Sequence, residues 1–142
     1  MSDDPFDLER FFTAQAPVYA RVLDELRAGR KRSHWMWFIF PQLCGLGRSH
    51  TALRYGITGR TEAIAYLAHP VLGPRLIECT RLLLAIEGRN AQQILGSPDD
   101  LKLRSCMTLF GFVSDVQDFA RALAKYYGGE QDPATLALLA AG

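Results

Sequence analysis

The chain has 142 residues, enough for one domain that buries roughly 68–70% of its unfolded surface without disulfide or metal staples. Hydrophobic residues make up 49% and charged residues 22%, and the net charge is only +1. That balance excludes intrinsic disorder, collagen and long coiled coils, and it excludes a surface that seeks polyanions everywhere.

Helical periodicity dominates in chain order. Leu8, Phe12, Gln15, Tyr19, Val22 and Leu26 recur at alternating steps of four and three, one face of a helix. Pro17 interrupts this stripe, which predicts a kink or a restart with Pro17 in the first turn, and Gly29 is the stop. Short helices are expected over 49–55 and 61–68, the second ending before His69-Pro70. A long apolar helix covers 74–87, and 91–95 forms one turn. Ser97-Pro98-Asp99-Asp100 reads as a helix start: a serine cap, a proline at the first position, and two carboxylates at the positive end of the dipole. That helix runs to about Phe112, and 116–127 and 133–140 complete the chain. Without period-2 alternation or hairpin signals, the expected class is all-α, a compact single-domain bundle of about seven or eight short helices.

Two segments carry chemistry. Residues 27–61 hold seven fixed cations, Arg27, Arg30, Lys31, Arg32, Arg48, Arg54 and Arg60, and no Asp or Glu. The acids cluster instead near the two ends of the chain. Within this basic stretch lie SHWMWFIFPQ (33–42) and the glycine loop GLGRS (45–49). Guanidinium groups bind phosphate in bidentate fashion, aromatic rings stack on bases, and a glycine loop exposes backbone N–H groups. The segment therefore predicts a positive concave surface for a nucleotide-like anion. The plainer alternative is a general arginine preference, since Arg outnumbers Lys 13 to 3, with most of the WMWFIF rings in the core.

In the helix after Ser97, Leu103, Cys106, Met107 and Phe110 form one apolar stripe, with Leu101, Leu109 and Phe112 nearly opposite. A helix apolar on both sides is central. Lys102, Arg104, Ser105 and Thr108 interleave with the second side. Lys102 needs a carboxylate or an anion, because an unpaired buried ammonium is costly. Ser105 and Thr108 either orient a ligand or bond back to the carbonyl four residues earlier.

Several chemistries are absent from the pattern. The three cysteines make no C-x-x-C pair, and no zincin or nucleophile-elbow spacing occurs, so no metal or cofactor is expected. The acidic start MSDDPFD lacks a basic leader, and WMWFIF is far short of the roughly 20 residues of a membrane helix. A cytoplasmic location is the expectation.

SHWMWFIFPQ, GLGRS, YLAHPVLGPRL (66–76) and SPDDLKLRSCMTLF (97–110) closely resemble the bacterial domain of unknown function 1810 family. The resemblance extends from about Phe11 to Asp-Pro-x-Thr at 132–135. It implies a mainly helical single domain with no accepted catalytic residue. A more distant likeness links the order of a basic aromatic segment, D-x-K-x-x-x-M and D-x-x-T-L to the NADAR group, which implies ADP-ribose-type ligands and N-glycosidic bond cleavage. The acidic residue usual in that group's aromatic segment has no match in 27–61.

The resulting expectation is a pocket for a phosphorylated, nucleotide-like small molecule. Arg32, Arg48 and Lys102 would neutralise phosphate, Trp35 or Trp37 would stack, and Gln42, Gly45, Gly47, Ser49, Ser105 and Thr108 would complete it. For N-glycosidic hydrolysis, His34 and Asp100 are the acid/base candidates. The alternative is a non-catalytic interaction module whose basic face docks an acidic protein or nucleic acid.

Overall fold

The computed structural model describes residues 3–141, which contain ten helices and no strand. In chain order they are α1 (Glu9–Gln15), α2 (Tyr19–Arg27), α3 (Met36–Ile39), α4 (His50–Tyr55), α5 (Arg60–Ala68), α6 (Leu72–Ala85), α7 (Ala91–Leu95), α8 (Asp99–Phe112), α9 (Gln117–Tyr127) and α10 (Pro133–Ala141). The all-α expectation holds. The two sources of extra helices are local: Pro17 splits the first stripe in two, and WMWFIF supplies the single turn of α3. Pro17 itself lies outside the first turn of α2, whose N-cap is Val18.

Local chemistry sets most boundaries. Asn90 and Gln93 form a reciprocal capping box on α7, satisfying two orphan N–H groups. Gly128 closes α9 in the left-handed conformation. At α8 the sequence expectation is off by one residue: Pro98 is the N-cap, and Ser97, joined to it by a cis peptide bond, makes no cap bond. Asp99 and Asp100 do occupy the first turn.

α8 is the central element, packed against α5, α7, α9 and α10. Leu103, Cys106, Met107, Leu109 and Phe110 are fully buried. Leu101 and Phe112 are exposed by 55% and 47%, so the second apolar side is covered only in the middle of the helix. A ladder of rings crosses the core from α1 through α5 and α8 to α9. Phe11 meets Tyr66 edge-on at 5.1 Å, Tyr66 meets Phe110 at 5.4 Å, and Phe110 meets Phe119 at 6.0 Å.

The aromatic segment divides between core and surface. Trp35, Met36, Ile39 and Phe40 are buried, whereas Trp37 and Phe38 are half-buried. Glu25 fixes the approach to it. Its carboxylate accepts hydrogen bonds from the backbone N–H groups of Arg32 (2.8 Å) and Ser33 (3.1 Å), the Ser33 hydroxyl (2.7 Å) and the Trp35 indole N–H (2.9 Å). Burial alone would raise the Glu25 pKa, but these donors outweigh it and hold the value at about 2.

Candidate ligand pocket

Three separate stretches meet at one cavity of about 460 Å³: the aromatic segment with its glycine loop, the first two turns of α8, and the start of α10. The loop after α3 is pinned by two backbone bonds, Cys44 N–H to the Ile57 carbonyl (2.8 Å) and Ile57 N–H to the Gln42 carbonyl (2.9 Å). Gly45 turns it with φ at +99°, a conformation that side chains disfavour. At Gly47 the chain passes so close to α4 that an added Cβ would lie 2.9 Å from the Ala52 methyl. Ser49 then caps α4, its hydroxyl accepting from the Ala52 N–H at 3.1 Å.

Of the residues the sequence singled out, Trp37, Gln42, Gly47, Arg48, Ser49, Lys102 and Ser105 line this cavity. The others do not. Trp35 is fully buried and bonded to Glu25, so it stacks on no ligand. Arg32 is exposed and enters the architecture through its backbone N–H, away from the cavity. Gly45 is exposed and faces the Leu138 side chain, which an added Cβ would meet at 3.7 Å. Thr108 is fully buried; its hydroxyl donates to the Arg104 carbonyl (2.8 Å) and accepts from the Asp132 N–H (2.9 Å), which makes it a tether for α10. His34 is exposed and lies outside the cavity. Asp100 is turned elsewhere too: its carbonyl accepts from the Tyr127 hydroxyl, and its Oδ1 is buried without a hydrogen-bond partner. Neither acid/base candidate therefore reaches the pocket.

The positive stretch also disperses. Lys31 pairs with Asp99 at 2.9 Å, Arg27 lies 3.8 Å from Asp24, and Arg54 sits beside Tyr55. Arg60 lies over Phe112 and lines a second cavity of about 560 Å³ beside Cys44 and Glu62. In that second cavity Glu62 is already held by Arg10 and Thr58. Only Arg48 of the seven cations lines the first cavity.

Lys102 supplies the other positive charge. Its ammonium lies 4.0 Å from the Trp37 ring centroid and 3.5 Å from Asp99 Oδ1. Because Asp99 is already bound closely by Lys31, one carboxylate serves two ammonium groups, and the site retains positive charge. Of the two partners expected for Lys102, the carboxylate is present, at Asp99.

The residue that sequence reasoning missed is Asp132, a cavity wall whose side chain is 14% exposed. Its Oδ2 accepts from the Thr135 hydroxyl (2.5 Å), the Thr135 N–H (3.0 Å) and the Ser105 hydroxyl (3.1 Å), and its Oδ1 from Arg104 at 3.3 Å. Burial works to raise its pKa, yet these bonds keep it below the ordinary carboxylate range. Part of this was locally legible: Asp-Pro-x-Thr is a helix start with an aspartate cap and proline at the first position. The Ser105 hydroxyl also lies 3.3 Å from the Leu101 carbonyl, so its single proton is shared between that carbonyl and Asp132 Oδ2.

Fold and pocket together define a small helical domain built on one central buried helix, with a mixed-charge cavity beside its first turns. Residues 5–139 match the family described as "Protein of unknown function (DUF1810)", and the chain belongs to that family. It is similar to the conserved hypothetical protein Rv1873 from Mycobacterium tuberculosis, known from a crystal structure. The two share 63% identity over 96% of this chain and 99% of that one, with a TM-score of 0.96. No curated protein matches the chain. The weaker likeness to the NADAR group gains no support from these comparisons. Among the described residues, no helix is long and apolar enough to cross a membrane, and no cluster of three or more His, Cys, Asp or Glu is arranged to hold a metal.

Proposed function

We propose that the chain binds a small phosphorylated, nucleotide-like molecule in the cavity between the 42–49 loop and α8. The observation that carries this reading is the convergence of Arg48 and Lys102, from distant parts of the sequence, on one cavity whose lining carboxylate, Asp132, is held by Thr135, Ser105 and Arg104. A guanidinium and an ammonium together suit a phosphate dianion. Trp37, Leu46, Ala52, Pro98 and Leu101 offer the apolar wall that a base needs. No hydrolytic step is assigned, since His34 and Asp100 lie outside the cavity. All three cysteines are free thiols, which suits a reducing cytosol as the place of action.

Isothermal titration with adenosine 5′-monophosphate tests the reading, with adenosine and a long single-stranded oligonucleotide as comparisons. The monophosphate is expected to bind one to one and adenosine much more weakly. Arg48→Gln is expected to weaken the monophosphate by about ten- to a hundredfold, the range for a hydrogen bond to a charged group. Binding of the oligonucleotide alone, with steep salt dependence, would replace the pocket by a docking surface for nucleic acid. No binding of any phosphorylated probe would overturn it.

A further inference from the structure

We infer that this cavity selects a ribose-bearing 5′-phosphate and holds it in one orientation, phosphate toward Arg48 and Lys102 and sugar hydroxyls toward Asp132; the inference rests on the pocket proposed above. Opposite charges are set apart along α8. Lys102 lies in the first turn, and its ammonium leans back toward Asp99, in the direction helical side chains take. Ser105 is one turn further on, and its hydroxyl points to Asp132. Lys102 and Ser105 are three residues apart, a rise of about 4.5 Å along α8, which sets a cationic end of the cavity apart from a carboxylate end. The 5′-phosphate and the secondary hydroxyls of a ribose are spaced on this scale.

Lone-pair accounting gives the carboxylate end its preference. Asp132 Oδ2 already has three donors, whereas Oδ1 has only Arg104, at 3.3 Å. Each carboxylate oxygen carries two lone pairs, so Oδ1, with Arg104 as its one donor, keeps one acceptor site on a residue that lines the cavity. An acceptor-only group repels phosphate and attracts hydroxyl donors. Hydrogen bonds to Ser105, Thr135 and Arg104 lock its position, and a preorganised acceptor discriminates strongly against ligands that lack the donor. A phosphate placed at this end would meet like charge, so the two ends admit the ligand one way round.

The test compares adenosine 5′-monophosphate with its 2′,3′-dideoxy analogue on the full chain by titration calorimetry. Loss of one hydrogen bond to a charged acceptor predicts about ten- to a hundredfold weaker binding of the dideoxy analogue. In Asp132→Asn this ratio is expected to fall toward one. If that variant does not fold, the wild-type ratio alone decides. Equal affinities in the wild type, with Arg48→Gln still weakening the monophosphate, would keep the pocket and overturn the orientation. So would a ratio unchanged in Asp132→Asn. Failure of the monophosphate to bind would overturn both.

Discussion

Glu25→Gln isolates the group that sets the path of the chain into the pocket. The carboxylate is almost fully buried, with four donors on it, and its pKa is lowered from 4.5 to about 2. A depression of that size corresponds to about 3 kcal/mol of stability, a large share of the 5–15 kcal/mol typical of a domain. Since the folded value lies below the unfolded one, this contribution is complete at neutral pH and is lost as pH falls from about 4.5 toward 2. Glutamine keeps the shape and one acceptor oxygen but carries no charge. Urea denaturation at pH 7 should therefore show the variant less stable by about 3 kcal/mol, a midpoint lower by about 1–3 M at usual m-values. The gap between variant and wild type should narrow steadily below pH 4.5. A gap that stays constant from pH 7 to pH 3 would show that Glu25 acts through packing rather than charge, and would refute the reasoning.

Three further substitutions probe other parts of the structure. Lys102→Met removes a 3.5 Å ion pair and a ring contact but leaves Asp99 paired with Lys31 at 2.9 Å. Denaturation should show a cost below about 1 kcal/mol, while affinity for adenosine 5′-monophosphate falls about tenfold. A loss of about 3 kcal/mol or more with unchanged affinity would make Lys102 purely structural. Phe110→Ala breaks the ring ladder at its centre and should cost about 3–5 kcal/mol; a value under about 1 kcal/mol would mean that α8 is not the core of the fold. Thr108→Val deprives the Asp132 N–H of its acceptor and should cost about 1–3 kcal/mol by thermal or urea unfolding. A neutral outcome would mean that α10 is held without this tether.

Outside α3, helix existence was legible because its signals are local. Capping residues, prolines, left-handed glycines and the apolar repeat act within a turn or two, so α5, α7 and α9 start and stop within a residue or two of expectation. The class, the centrality of α8 and the burial of Leu103, Met107 and Phe110 follow from the same short-range patterns. Cation partners were not legible. Side-chain type says that Lys31 and Lys102 want a carboxylate, but not that they share Asp99; only the approach of α8 to the 27–35 segment decides that. The same holds for the two tryptophans. Trp35 and Trp37 look alike in a run with no clear period, and Glu25, ten residues earlier on α2, is what draws one indole inward. Asp132 is the clearest case. As a cap it belongs to its own helix and can be read from four residues, but its place on the cavity wall depends on α10 folding back onto Ser105 and Arg104. Local geometry is set by neighbours in sequence, whereas a cavity is set by which distant elements exclude water from one another.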